Sequence, residues 1–462
     1  MARIAIIGSG YVGLCTGAVL ASLGHHVVGV DIDRAKVDAL QAGMCPIHEP
    51  GLEELLTENR DAGRLTFTAE YLVAIPQADF VYICVDTPPG ANGGADMSSV
   101  RRAALSIGGA LSTEHEQIIV NKSTMPIGSG DYVHAMLAES APDGARFAVV
   151  ANPEFLREGS AIHDSLHPDR IVLGAAVRSA AEHVATLYNA LDAPIIYTDL
   201  RTAEMIKYAS NAFLATRISF INEVAHVCEA LGADIKQVAQ GMGLDRRIGP
   251  HFLSAGIGFG GSCFPKDVRA LEFMAEEADC HPQLLRAVLE INRDSRRRFV
   301  RKLQHLLGTL SGATIAVWGL AFKPDTDDLR EAPSLDIIRD LLARGAAVRA
   351  YDPVAMSAAK TFVPGTTFCA DPYEAVTGAD AVALVTEWAE FRDVDLGRVR
   401  ELMRHPILID GRNMFDARLA AAHGFTYRGV GVPAIELSVQ ERQSHILPAV
   451  HTVDRALPPI SA

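Results

Sequence analysis

The segment GFGGSCFPKD, Gly258–Asp267, concentrates residue types that do covalent chemistry. Cys263 follows a cluster of glycines, Gly258, Gly260 and Gly261, that let a backbone approach a ligand closely. Lys266 and Asp267 come directly after it. A nearby cation favours the thiolate, the nucleophilic form of cysteine, and a nearby carboxylate can move protons. A free cysteine is more often a small buried hydrophobe. The case for a nucleophile therefore rests on these neighbours and on a second motif at the start of the chain.

That motif is Gly8-Ser9-Gly10-Tyr11-Val12-Gly13, which follows an apolar run and opens a helical one. In this context Gly8 permits a tight turn, Gly10 lets a pyrophosphate approach the backbone, and Gly13 lets helix and strand pack closely. The helix that starts at Tyr11 and Val12 offers free N–H groups and a positive dipole end to phosphates. Asp31 closes the next strand about 20 residues on, where an acidic residue binds a ribose 2′-hydroxyl. Its charge repels a 2′-phosphate, so NAD is expected rather than NADP. Lys36, five residues after Asp31, is assigned to the same site. A cofactor that accepts hydride and a cysteine that holds an acyl group together predict oxidation to the level of an acid.

These residues need elements to position them. Arg3 to Ile7, His26 to Asp31, Phe80 to Val85, Gln117 to Asn121, Phe147 to Ala151 and Ile171 to Leu173 read as strands between helical stretches such as Tyr11 to Leu23. Runs of this kind predict a parallel sheet covered on both faces. From Thr202 to about Arg298 the pattern is helical, and Ala203 to Leu231 is long for one globular helix. A third segment repeats the opening: strand and turn in Thr314 to Phe322, a helix at Ser334 to Arg344, and a strand ending in Asp352. It lacks the glycine fingerprint. The expected fold is α/β, with two Rossmann-like doubly wound domains joined by a long central helix. The expected bounds are 1–200 for NAD binding, 201–300 for a central helical dimerisation domain, 311–432 for the second, C-terminal Rossmann-like domain, and 433–462 for a flexible tail.

Composition narrows the class. The net charge of −14 disfavours a nucleic-acid binder, whose affinity comes from neutralising phosphates. Seven scattered cysteines without a CxxC pair read as reduced thiols, and no metal is expected. His25, His26, His163 and His167 lack ligand spacing. The N-terminus carries no signal-peptide pattern, and no apolar run reaches the ~18 residues that span a bilayer. A cytoplasmic protein that does not engage membranes is expected.

The motifs NPEFLREG (Asn152–Gly159), KSTMP (Lys122–Pro126), GFGGSCFPKD and FKPDTDDLREAPS (Phe322–Ser334) occur in an order that resembles the UDP-glucose/GDP-mannose dehydrogenase family over roughly residues 1–430. RIGPHFLSAG before the glycine loop, and KYASNAFLATRISFINE (Lys207–Glu223), resemble the branch that oxidises UDP-glucose. The resemblance implies two successive NAD-dependent oxidations of UDP-glucose to UDP-glucuronate through a thiohemiacetal and a thioester on Cys263. Lys207 and Asn211 would stabilise the C6 oxygen. Asp267, Thr124, Glu158 and Glu154 are candidates for handling protons and water, and which of them is the base stays open. Glu154, Phe155, Leu156, Phe252 and Gly260 would line the sugar nucleotide, and Lys323 and Arg412 would pair with phosphate or uridine. Arg247 would reach the sugar of a neighbouring subunit, which implies a homodimer. Thr87, Thr124, Glu158, Lys266 and Arg330 would touch NAD.

Asn121 and Met125 stand where this family commonly has aliphatic residues, and Asp86, Pro89 and His167 also depart from its pattern. None falls on a catalytic position. The same chemistry on GDP-mannose or a UDP-N-acetylhexosamine is the alternative. A binding protein without chemistry is disfavoured by the joint presence of Cys263, Lys207 and Asp267.

Overall fold

The structure, a computed structural model, describes residues 1–90 and 93–435. Most of the tail expected at 433–462 lies outside the described residues. The chain divides into two compact units: Met1–Ser210 with Arg269–Cys280, and Asn211–Val268 with the chain from His281 onward. Both units hold Rossmann-like sheets. The helix Leu200–Leu231, 32 residues long, carries the chain from the first unit into the second.

The first sheet contains β1 (Arg3–Ile7), β2 (His26–Val30), β3 (Leu65–Thr68), β4 (Phe80–Ile83), β5 (Glu116–Asn121), β6 (Arg146–Ala151), β7 (Ile171–Ala175) and β8 (Ile195–Thr198). Their order is β3-β2-β1-β4-β5-β6-β7-β8. The chain reverses its direction of build at β1, between β2 and β4, which opens a ligand crevice at the carboxyl ends of the strands. In β4, Phe80 and Tyr82 join one core cluster while Val81 and Ile83 join the other. Both faces are covered, so the strand reads as a continuous apolar run without polar alternation. Each such side chain contributes roughly 1.5–3 kcal/mol by leaving water. A charge at Val81, which is 0% exposed, would have no partner and would break this layer.

One expectation is corrected here. The sheet is not parallel throughout, because β7 runs antiparallel to β6 and overlaps it by two pairs, Val150↔Ala175 and Ala151↔Gly174. A parallel neighbour requires the chain to travel back to the amino end of the sheet. Residues 152–170 hold only a six-residue helix, Ala161–Leu166, and do not make that return. The NPEFLREG segment therefore stays at the carboxyl end, beside the crevice.

The second sheet contains β9 (Thr314–Trp318), β10 (Ala347–Tyr351), β11 (Thr367–Phe368), β12 (Ala381–Leu384), β13 (Ile407–Asp410) and β14 (Thr426–Arg428). Its order, β11-β10-β9-β12-β13-β14, is the doubly wound order, and every pairing is parallel. Trp318 is fully buried, stacks on Phe391 at 5.4 Å, and donates its indole N–H to the Pro372 carbonyl at 3.1 Å. The hydrogen bond removes the one polar cost of burying that ring.

Candidate active site

The glycine fingerprint sits on the turn from β1 into the helix Tyr11–Ser22. Gly8 has φ +100, and a Cβ there would meet the Cys84 carbonyl oxygen at 2.8 Å. A Cβ on Gly13 would lie 1.8 Å from the Gly8 oxygen. A Cβ on Gly10 would meet nothing within 4 Å. The first and third glycines are thus demanded by the protein's own packing. The second leaves open space beside an uncapped helix N-terminus, the space a pyrophosphate needs. The residues present fit a dinucleotide.

Asp31 follows β2 and is 8% exposed. It accepts the N–H groups of Ser9 and Asp33 at 2.9 and 3.0 Å and pairs with Lys36 at 2.9 Å. Burial works against its charge, but these donors outweigh it and hold the carboxyl below the usual range. Asp352, at the same place after β10, accepts N–H groups from Leu320, Ala321, Val354 and Ala355 and the Trp388 indole. It is 0% exposed, so its acceptor capacity is spent inside the protein. The turn is shared between the two units, whereas the glycine cradle is confined to the first.

At the carboxyl end of the first sheet, Lys207 Nζ lies 3.0 Å from Glu154 Oε1, with both side chains almost wholly buried. Glu154 Oε2 accepts the Leu156 N–H at 2.9 Å, which fixes the NPEF turn. The Phe155 ring has the Arg170 guanidinium 3.7 Å from its centroid and Lys207 at 5.4 Å. Thr87 donates its hydroxyl to the Thr124 carbonyl at 2.8 Å, joining the turns after β4 and β5. Asn121, Ser123, Thr124, Met125, Ala151, Pro153, Glu204 and Lys207 line a small cavity. Glu204 accepts from the N–H groups of Gly128 and Gly130, yet burial raises it to about 6. Glu158 is buried, on the loop that continues to Gly159.

In the second unit, Cys263 occupies the N-terminal end of the helix Phe264–Glu277 and accepts the Asp267 N–H on its carbonyl at 2.8 Å. Cys263 therefore immediately precedes the positive end of the helix. Asp267 is 1% exposed and is held by Lys266 at 2.7 Å and by the Asn211 amide at 2.6 Å. Lys266, three residues after Cys263, is thus engaged with a carboxylate. Gly258 (φ +95) and Gly261 (φ +85) shape the loop, and a Cβ on Gly260 would meet the Glu331 oxygen at 2.4 Å.

Arg412 donates to the carbonyls of Val385, Gly258 and Phe322 and sits 3.2 Å from Glu387. Lys323 lies 5.7 Å from the Phe322 ring centroid. Arg330 pairs with Asp328, while its carbonyl accepts the Gly261 N–H at 2.9 Å. Phe252 (φ +59) packs edge-on against Phe264. Arg247 pairs with Asp245, and its side chain is 89% exposed.

Residues 2–192, 201–294 and 316–417 match the NAD binding, central and UDP binding domains of the UDP-glucose/GDP-mannose dehydrogenase family. The chain is 46% identical over 434 residues to the UDP-glucose 6-dehydrogenase YwqF of Bacillus subtilis, covering 94% of this chain and 98% of that one. This chain belongs to the UDP-glucose/GDP-mannose dehydrogenase family. It is an NAD-dependent oxidoreductase. A UDP-glucose dehydrogenase structure from Pyrobaculum islandicum is similar with TM-score 0.88 and 40% identity, covering 94% of this chain and 98% of that one. A UDP-D-ManNAc dehydrogenase structure from Pyrococcus horikoshii is similar with TM-score 0.82 and 29% identity, covering 93% and 99%.

Several residues that shape the site of this dehydrogenase gave no signal in its sequence. Asn292 accepts the Phe259 N–H and donates to its carbonyl, and Arg296 donates to the same oxygen, so one helix face clamps the glycine loop. Lys122 donates to Asn152 Oδ1 at 3.1 Å, and that oxygen also accepts the Tyr188 hydroxyl at 2.8 Å. Burial lowers the Lys122 ammonium to about 8, against the pull of Glu154 and with repulsion from Lys207. Asn292 and Arg296 lie in a stretch read from the sequence only as helical. Lys122 lay inside a motif already noted, without a partner that spacing could reveal.

Proposed function

We propose that this dehydrogenase oxidises UDP-glucose at C6, in two NAD-dependent steps, to UDP-glucuronate. The observation that carries the reading is Cys263 at the positive end of a helix within a glycine-shaped loop, the kind of position that reactive cysteines occupy. The higher identity to the UDP-glucose enzymes than to the UDP-D-ManNAc enzyme supports the choice of sugar.

NAD, when bound, supplies the hydride acceptor for each oxidation. Gly8, Gly10 and Gly13 with the N–H groups of Tyr11 and Val12 would hold its pyrophosphate, and Asp31, fixed by Lys36, its ribose. Lys207 and Asn211 are one helical turn apart and stabilise negative charge on the C6 oxygen as its proton leaves. The Cys263 thiolate adds to the resulting aldehyde and forms a C–S bond. Loss of a second hydride from that thiohemiacetal leaves a thioester. Water then cleaves the C–S bond, giving the carboxylate and regenerating the thiol. Asp267, Thr124, Glu154 and Glu158 are the groups proposed to order or deprotonate that water. Covalent capture keeps the aldehyde from escaping.

The chain is further proposed to act as a homodimer. Phe213, Phe220 and Val227 recur every seven residues on the long helix, are 61%, 46% and 50% exposed, and continue to Leu231 at 79%. That spacing packs one helix against another. Arg247, exposed on the same unit, is the residue proposed to reach a partner's sugar.

The deciding experiment follows NADH at 340 nm with limiting UDP-glucose. Two NADH per sugar, with UDP-glucuronate as product, is expected. Turnover with another nucleotide sugar but none with UDP-glucose would retain the chemistry and replace the substrate.

A further inference from the structure

Glu49, whose carbonyl accepts the Leu52 N–H in the turn at 49–52, is a buried carboxylate that the proposed chemistry does not use. It is 6% exposed. Its Oε1 accepts the Ala161 N–H at 2.7 Å. Its Oε2 accepts the Gly159 N–H at 2.6 Å and the Tyr11 hydroxyl. The Gly159 N–H also lies 3.0 Å from the Tyr11 oxygen. The three segments meet on one carboxylate: the first residue of the dinucleotide helix, the turn before the helix Leu52–Asp61, and the loop after Glu158.

Among the described residues, the groups bonded to Glu49 are N–H and O–H donors, and none is an ammonium or a guanidinium. Burying an anion on neutral donors alone is costly. A purely architectural tie between these segments would need no charge. Hydrogen bonds to an anion are, however, shorter and stronger than neutral ones, so they define distances more tightly. Burial, and then the Glu49 charge, push the Tyr11 phenol far above its ordinary range, so Tyr11 stays a donor at every working pH. The clamp is thus fixed in one hydrogen-bonding arrangement.

Its two outer ends are the places assigned to the cofactor. Tyr11 directly follows Gly10, where the pyrophosphate approaches, and Gly159 directly follows Glu158. We infer that Glu49 is a positioning residue for NAD, which holds the dinucleotide loop and the Glu158 loop at a fixed spacing through Tyr11 and Gly159. This rests on the assignment of Gly8–Gly13 and Glu158 to NAD.

The test compares the full-length enzyme with Tyr11→Phe, Glu49→Gln and the double variant. NAD dissociation constants would come from calorimetry, kcat and KM from NADH formation, and Tm from thermal melts. Each single change should weaken NAD by about tenfold or more, because each breaks a charge-assisted bond of the clamp. The double variant should bind no worse than the weaker single one, because both act on one link. At saturating NAD, kcat of Glu49→Gln should stay within about threefold of the parent, as a positioning role predicts. Lower Tm with unchanged NAD affinity would overturn the inference and leave Glu49 structural. Independent, multiplying losses would overturn it as well. Should Glu49→Gln fail to fold, Tyr11→Phe decides alone, since it removes one hydroxyl and keeps the ring. Absence of NAD binding by the parent enzyme would overturn the cofactor assignment, and the clamp's role with it.

Discussion

Lys207 and Glu154 form an ion pair of 3.0 Å in which the side chains are 3% and 6% exposed. Two opposite charges this deeply buried are tolerable only together. Removing one leaves the other uncompensated, at a cost of about 3–5 kcal/mol. Glu154→Gln and Lys207→Met should each lower the melting temperature strongly. The double variant should recover part of that loss, because neither member of the pair is left facing the gap of the other. Melts of the three proteins decide this. Additive losses would show that the pair is weaker than its burial suggests.

Cys263→Ser should separate the two oxidations. Serine is a far poorer nucleophile toward an aldehyde at neutral pH, so acid formation should fall by at least about a thousandfold. NADH per sugar should drop below two, with aldehyde recoverable by an amine trap. Acid production at the parental rate would exclude a covalent intermediate on this sulfur.

The fold was legible in this sequence to different depths at different places. Gly8 and Gly13 announced their packing because only a missing Cβ allows those approaches, and that constraint is local. The antiparallel turn into β7 was hidden because strand direction depends on where a connection leads, and apolar runs carry no direction. Cys263 was visible as a residue type, while its place at a helix end was not, since Ser262 and Pro265 gave no clear boundary. Asn292 and Arg296 clamp a loop more than 30 residues away, a relation that short-range spacing does not encode. Arg412 shows the converse. Its type suggested an anion site, and much of its guanidinium is spent on backbone carbonyls.

Lys122 gives a prediction about pH. Burial lowers its ammonium to about 8 from an ordinary 10.5. Between those values the unfolded chain binds more protons than the folded one, so stability from this group rises with pH across that window. Below 8 the folded protein carries the full cost of burying the charge. Lys122→Met should therefore raise the melting temperature most at pH 7 and below, with the advantage fading as pH climbs from 8 toward 10.5. Asn152 Oδ1 keeps the Tyr188 hydroxyl as a donor, so the variant strands no acceptor there. A melting temperature that falls at pH 7 would show that attraction to Glu154 outweighs desolvation at this lysine.

Gly10 and Gly13 belong to one fingerprint and should fail in opposite ways. A Cβ on Gly13 lies 1.8 Å from the Gly8 oxygen and 3.2 Å from the Cys84 Cβ, so Gly13→Ala must push the helix off β1. Overpacking of this kind costs about 3 kcal/mol, and the loss should appear in melts without any ligand. At Gly10 the backbone has φ −84 and ψ −167, which alanine adopts freely, and its Cβ would meet no protein atom within 4 Å. Gly10→Ala should thus fold with a stability change of about 1 kcal/mol or less. The methyl group would stand in the space left for the pyrophosphate, and NAD affinity should fall at least about tenfold. Calorimetry with NAD on the folded variant reads this directly. Parental affinity in Gly10→Ala would place the pyrophosphate elsewhere. A fully stable Gly13→Ala would mean that the helix can shift away from β1 without loss, and that the third glycine is not required for packing.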